Sequence, residues 1–538
     1  MAQTARSRRR PSAVVAPSEE PTRPETSPPP RRTGRRTLAA GVVLVVLAVV
    51  LLARLGAQER GGPAHTSLVS IGDGIPATLY LPGKLQDGQL PVQRPLGQRP
   101  PLVVVAHGYS ADRQIMSPMA RSLASAGYAV LTFDFRGHGS NASQFRGDLR
   151  RDLDAVVGWA GTSPYIDARR IAVLGHSMGA GAALDFASVD PRPVAVIPVS
   201  GGSEVSDVDI PRHILFMSAQ HDPAFIRHRQ SELAAQLVGK TAVSQVQIGG
   251  KDHVTILYSG AAIREIVRFL DPVFGVTRPG APPGLHDPRL GTAALYLLTA
   301  LGLIALLGVA IGRQVSAMPS TASTGGVLLL TGAMVVTMPL LVMGGPEILP
   351  LGAGQPVIVH AALAGAALWA LRHYVRRGVV TGRIATWVGD GPWLPLRSVA
   401  GPGAAAALVT FLLLTPLEVV FHRLVPTWER LVLWAVVAVL ALPFFAAFEG
   451  LVRRGGTWAA VGWGALGRVI LLLALLVGVR LNLLPGVITL VVPILVLQYL
   501  ILEVFADTCF AAGRNPAVIA VVDSIFIAWM VTALTPIG

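Results

Sequence analysis

A serine with glycines two positions to either side, Gly175-His176-Ser177-Met178-Gly179, follows the short apolar run 171–174 and leads into an Ala/Gly-rich helical pattern. G-x-S-x-G between a strand and a helix is the setting of a nucleophile elbow, a turn so tight that its flanking side chains must be small. The serine hydroxyl then projects from the sheet, with a helix N-terminus aimed at it. Such a hydroxyl needs a base, and the base needs an orienting acid. In this setting the chain order is serine, acid, histidine. Asp222 follows the run 214–217 in Ser218-Ala219-Gln220-His221-Asp222-Pro223, and His253 follows the run 242–248 in Gly249-Gly250-Lys251-Asp252-His253. Both stand at strand ends and in the required order.

Competing readings exist for each partner. Asp222 also fits a helix N-cap ahead of Pro223, and Asp207 and Asp209 are alternative acids in the preceding loop. His107, His138 and His221 lie in loops at the same end but break the chain order. His176 precedes the serine on its strand and is expected to point elsewhere. Asp252 reads as a loop or capping residue, since adjacent side chains rarely face one another. Acyl transfer also needs two backbone N–H groups aimed at the developing oxyanion. Met178, the residue after the nucleophile, is one candidate. Tyr109, in His107-Gly108-Tyr109-Ser110 after the run 102–106, is the other.

These residues require a scaffold that brings strand ends together. Short apolar, often β-branched runs occur at 102–106, 129–133, 171–174, 194–199, 214–217 and 242–248. Helical patterns alternate with them at Met116–Ala126, Asp148–Gly161, Gly179–Ser188 and Phe225–Val238. That alternation predicts an α/β fold, a mostly parallel sheet with helices on both faces. Ligands in such sheets lie beyond the carboxyl ends of the strands.

With Asp134-Phe135-Arg136-Gly137-His138-Gly139 added, residues 66–271 resemble the α/β-hydrolase superfamily, in its single-domain esterase, lipase and serine-aminopeptidase-like branch. The resemblance implies hydrolysis through an acyl-enzyme, usually of esters, without metal or organic cofactor. It assigns the triad to Ser177, Asp222 and His253 and the oxyanion donors to Tyr109 and Met178. One departure matters. Relatives often carry a helical lid after the sixth strand, whereas only Ser200 to Arg212 are available here, so a shallow site is expected, covered if at all by the bilayer or membrane helices.

The remaining sequence points to a membrane. Of 538 residues, 52% are hydrophobic and 14% charged, with a mean hydropathy of +0.55, against about 25% charged in an average soluble domain. A purely soluble cytosolic protein is excluded. The formal charge of +14 does not indicate nucleic acid, because nine arginines crowd the first 36 residues and most others flank apolar runs. We therefore expect a disordered basic cytoplasmic tail (1–37), a transmembrane signal anchor (38–56), an extracytoplasmic hydrolase domain (57–275), a Pro/Gly linker (276–290) and a polytopic membrane domain (291–538). Spans are read near 291–312, 325–344, 355–371, 399–420, 431–449, 466–484, 485–503 and 516–535. With the N-terminus inside, nine loop arginines fall on the cytoplasmic side and three opposite, in keeping with the positive-inside rule.

Glu418, Glu449, Glu503, Asp507 and Arg468 lie at or near membrane depth, where ionisable groups are costly and functional by default. Glu449 and Arg453, four apart, suit a helical ion pair. The single cysteine, Cys509, excludes an internal disulfide. The expected activity is that of a membrane-bound serine hydrolase on small-molecule or lipid esters at the outer face of the cytoplasmic membrane. The same triad would serve an acyltransferase or a peptidase. A transport or scaffold protein with an accessory hydrolase domain is the reading from a different class. The oligomeric state is left open.

Overall fold

The computed structural model describes residues 33–62, 64–83, 95–203, 213–318, 325–341, 348–389, 392–453 and 456–538. Residues 1–32, most of the expected basic tail, lie outside them, as do the alternative acids Asp207 and Asp209. Eight strands form one sheet: β1 (Ala64–Ile71), β2 (Ile75–Pro82), β3 (Pro101–Ala106), β4 (Ala129–Phe133), β5 (Asp167–His176), β6 (Pro193–Val199), β7 (His213–Ala219) and β8 (Ala242–Ile248). Their order is β1-β2-β4-β3-β5-β6-β7-β8. β1 and β2 pair antiparallel, as do β2 and β4, and all other pairs are parallel. The antiparallel hairpin was missed in the sequence because β1, His65-Thr66-Ser67-Leu68 in its first half, lacks a continuous apolar run.

Each central strand feeds two cores, because successive side chains leave opposite faces of the sheet. Val103, Val105 and Leu174 pack on one side, beneath α2 (Ser117–Ser125) and α6 (Gly260–Phe274). Leu102, Val104 and Val173 pack on the other, beneath α3 (Arg150–Thr162) and α4 (Met178–Ala187). A further helix, α5 (Ala224–Leu237), links β7 to β8. The order reverses at β3: the chain moves to β4 on one side and then to β5 on the other. Ligand crevices form at such switch points, and both the loop after β3 and the turn after β5 open there.

Among the described residues eight helices are long and apolar enough to cross a membrane. One, α1 (Thr33–Arg60), precedes the sheet. The others are α7 (Arg289–Gln314), α9 (Gly354–Arg376), α11 (Leu396–Leu414), α12 (Trp428–Val452), α13 (Thr457–Arg480), α14 (Ile488–Gly513) and α15 (Pro516–Leu534), with shorter α8 (Gly325–Thr337) and α10 (Arg383–Val388) between them. Three expected spans change. Near 325–344 the α-helix is only α8, which tightens into a 3-10 turn at Met338–Leu341. The span expected from 466 starts at Thr457, placing Arg468 mid-helix. The next one extends ten residues past 503, carrying Glu503 and Asp507 inside α14. Hydropathy ends a span at a charge; here the charges have partners and the helices continue.

α15 begins at an Asn515 cap, whose side-chain oxygen accepts from the N–H groups of Ala517 (3.0 Å) and Val518 (3.2 Å). It is apolar all round and nearly wholly buried, as expected of a helix at the centre of a bundle. Gly308 and Gly312 let α7 approach α14 closely: a Cβ on Gly312 would lie 2.4 Å from the Cys509 carbonyl oxygen. The sheet domain is tethered at both ends to packed helices, α1 and α7, with Glu59 bridging Arg121 (2.5 Å) and Arg289 (2.6 Å).

Candidate active site

The turn from β5 into α4 holds Ser177 at φ 54°, ψ −116°, a conformation costly for any residue with a side chain and frequent at functional sites. The flanking glycines make it possible. A Cβ on Gly175 would sit 2.0 Å from the Gly179 oxygen, and one on Gly179 would sit 2.6 Å from the oxygens of Ala106 and His107. Ser177 Oγ lies 3.0 Å from His253 Nε2, and His253 Nδ1 lies 2.8 Å from Asp222 Oδ1. The structure thus brings Ser177, His253 and Asp222 into one hydrogen-bonded series. His253 and Asp222 are buried, while Ser177 is partly open.

The second oxygen of Asp222 accepts from Ser200 Oγ (2.7 Å) and from the Ala219 N–H (2.7 Å). Burial alone pushes the Asp222 carboxyl up, but the hydrogen bonds from His253, Ser200 and Ala219 outweigh it and hold it below the usual carboxylate value. This carboxylate does not cap α5, whose N-cap is Pro223. The loops carrying Asp222 and His253 are tied together, with the His221 N–H donating to the Lys251 carbonyl (2.8 Å). Asp252 caps the turn after His253, accepting from the N–H groups of Val254 and Thr255, both at 2.9 Å.

Met178 heads α4, where the first N–H groups have no intrahelical partner. Tyr109 lies in the loop after β3, beside Gly108, whose approach to Ser177 a side chain would crowd. The tyrosine side chain is engaged elsewhere, its hydroxyl accepting from the Ala353 N–H (2.9 Å) just ahead of α9. Gly352 must be glycine for that contact, since a Cβ would lie 2.3 Å from the hydroxyl.

His176 does not point away from the site, as its place on the strand suggested. Its Nε2 donates to the His253 carbonyl (2.8 Å), and the two rings lie 4.8 Å apart. The strained turn rotates the end of β5 toward the loop after β8, which strand alternation does not anticipate. Burial lowers His176 to about 3, so it is a neutral prop for His253. His107 is also lowered to about 3 by burial; its Nδ1 donates to the Gly108 carbonyl (2.7 Å) and its Nε2 accepts from the Phe135 N–H (3.1 Å). Ser200, like the His176 contact, carried no sequence signal.

The helical region closes the site from above. A pocket over Ser177 and His253 is lined by Gly108, Tyr109 and Leu257 from the sheet domain, and by Val487, Leu490 and Ile494 from the start of α14. The Asp134–Gly139 loop docks there too. The Gly137 carbonyl accepts from Arg430 Nη2 (2.7 Å) and from the Ile537 N–H (2.9 Å), and the Phe145 N–H donates to the Ile537 carbonyl (2.8 Å).

Residues 97–240 match the family model described as serine aminopeptidase, S33. The sheet and its helices have the α/β-hydrolase fold. An uncharacterised protein of Mycobacterium tuberculosis is 33% identical over 197 residues, 35% of this chain and 64% of that one. A bis(hydroxyethyl) terephthalate hydrolase of Streptomyces coelicolor is 32% identical over 123 residues, 23% of this chain and 36% of that one. Cutinase 2 of Thermobifida cellulosilytica is 31% identical over 100 residues, 18% and 38% of the two chains. An esterase of Pyrobaculum calidifontis superimposes with a TM-score of 0.31 at 16% identity, covering 45% of this chain and 93% of that one. The chain therefore spans about a third to two thirds of the length of these curated relatives.

Beyond the hydrolase domain, a second polar constellation lies within the helices. Arg453 pairs with Glu449 (2.9 Å), Glu503 and Asp507, and Arg468 with Glu503 (2.5 Å), Glu449 (3.2 Å) and Asp523 (2.9 Å). Asp523 was not singled out in the sequence, because a lone aspartate in an apolar run carries no spacing signal. Gly464 makes room for the Arg453 guanidinium, whose Cζ would lie 2.6 Å from a Cβ there.

Proposed function

We propose that the chain is a membrane-embedded serine hydrolase that cleaves carboxylic esters through an acyl-enzyme. The observation that carries this reading is the series Ser177 Oγ, His253 Nε2 and Nδ1, Asp222 Oδ1, joined at 3.0 and 2.8 Å and facing an apolar pocket. Ser177 Oγ attacks the ester carbonyl while His253 Nε2 takes its proton, and Asp222 orients the imidazole and stabilises its charged form. The N–H groups of Met178 and Tyr109 receive the oxyanion. His253 then protonates the leaving alcohol. Water repeats the cycle: its hydroxyl goes to the acyl group, and its remaining proton returns through His253 to Ser177.

The bis(hydroxyethyl) terephthalate hydrolase and the cutinase among the relatives favour ester over peptide substrates. Nine arginines in the first 36 residues, just ahead of the apolar part of α1, favour a cytoplasmic N-terminus, and hence a hydrolase domain on the outer face of the cytoplasmic membrane with the bilayer as its neighbour. The test is fluorophosphonate labelling and nitrophenyl ester turnover by the purified full chain and by Ser177→Ala. Labelling and turnover are expected in the parent, with turnover falling about 10^6-fold in the variant. A folded parent that neither labels nor turns over would overturn the proposal.

A further inference from the structure

Three apolar cavities meet at Ile494. The pocket over Ser177 shares Ser110, Val487 and Ile494 with a second pocket, which lies between α9, α14 and α15. That pocket shares Ile494, Gln498 and Met530 with a third and roomier one, between α7, α11, α14 and α15. One face of α14 forms the common wall, because Leu490, Ile494, Gln498 and Ile501 recur every three or four residues. At 1.5 Å per residue, Leu490 to Ile501 covers about 16 Å. The three pockets therefore lie in series along α14, from Ser177 into the helix bundle.

Gln498 departs from this apolar lining. Its side chain is 2% exposed and borders the second and third cavities, and neither its amide oxygen nor its amide nitrogen has a partner. A buried amide left unsatisfied is destabilising, because it has given up its water without gaining a partner. An occupant carrying a hydroxyl would relieve both atoms at once, since a hydroxyl donates and accepts.

We infer that these adjacent pockets join to form the acyl-binding site of the hydrolase, and that they select long-chain acyl esters bearing a hydroxyl part-way along the chain. The carbonyl sits at Ser177, the chain follows α14 past Ile494 into the bundle, and Gln498 binds the hydroxyl. The helical region then sets substrate specificity as well as membrane attachment. This inference rests on Ser177 being the nucleophile.

The test uses the full chain in lipid nanodiscs and compares Ser177 labelling by ethyl, octyl and hexadecyl fluorophosphonates. The parent should react at least tenfold faster with the hexadecyl than with the ethyl reagent. Ile494→Trp, at the junction, should bring that ratio towards one; partitioning into lipid is common to all variants and cancels in the comparison. Should Ile494→Trp fail to fold, Ala294→Trp alters only the third cavity and should lower the hexadecyl-to-octyl ratio. Gln498→Leu should erase a preference for the nitrophenyl ester of 12-hydroxystearate over that of stearate. Equal parent rates for all chain lengths, or ratios unmoved by these substitutions, would overturn the cavity assignment and leave the nucleophile standing. A parent that no reagent labels at Ser177 would overturn the hydrolase reading, and this inference with it.

Discussion

The series Ser177, His253 and Asp222 and the network around Arg453 and Arg468 both hold carboxylates away from water, yet they use them differently. In the network two guanidinium groups and four carboxylates turn towards one another across α12, α13, α14 and α15. In the hydrolase domain Asp222 engages His253, Ser200 and the Ala219 N–H, and the series ends on a hydroxyl that faces a cavity. The network joins helices; the Ser177 series points its polarity at an open space. Burial alone does not mark a reactive site: what distinguishes one is a polar group left directed at a place where a substrate atom fits.

Substitutions sharpen this contrast. Asp222→Asn should reduce kcat about 10^4-fold, because the amide favours the wrong imidazole tautomer, while the melting temperature moves little; steady-state kinetics and thermal unfolding check both. Arg468→Met should do the reverse. It leaves Asp523 and Glu503 short of a partner in the bundle, costing about 3–5 kcal/mol of stability, yet the folded fraction should keep the parental rate of fluorophosphonate labelling. Neutralising Asp523 as well should recover part of the loss. If Arg468→Met instead abolished labelling while folded, the two regions would be one functional unit.

Acid offers a gentler probe. His107 and His176 are held near 3 by burial but titrate near 6.5 when unfolded, so between these values the unfolded chain binds more protons. Their contribution to stability is complete above about pH 6.5 and falls as the pH drops towards 3, by about 1.4 kcal/mol per pH unit for each histidine. Denaturant unfolding of the hydrolase domain at pH 7 and pH 5 should show this slope, and His107→Asn should reduce it. The smallest effect is expected for Ser200→Ala. Loss of one hydrogen bond to the Asp222 carboxylate, about 1.5–3 kcal/mol at most, should lower kcat roughly tenfold without changing the pattern of fluorophosphonate labelling.

Much of the hydrolase domain was legible because its signals are local. The β3, β4 and β5 runs are continuous because strands buried on both faces must be apolar throughout, and Gly175 and Gly179 declare a turn that tolerates nothing larger. The apolar helices were legible for the same reason, since one property of a short window decides them. Their ends were not. Arg468, Glu503 and Asp507 lie within helices because partners from other segments neutralise them, and a window of sequence contains no partner.

By itself, then, the sequence determined the strand–helix alternation, the tight turn at Ser177, the strand ends on which Asp222 and His253 follow it, and which segments are apolar enough to span. Tertiary structure alone decided the rest: His176 propping His253, Ser200 steadying Asp222, Tyr109 reaching Ala353 across 244 positions, and α14 roofing the site with Val487, Leu490 and Ile494. The physical reason is range. Backbone preference and side-chain periodicity act over a few residues and are written in their order, whereas a cavity or a docking contact exists only where surfaces far apart in the chain are packed together.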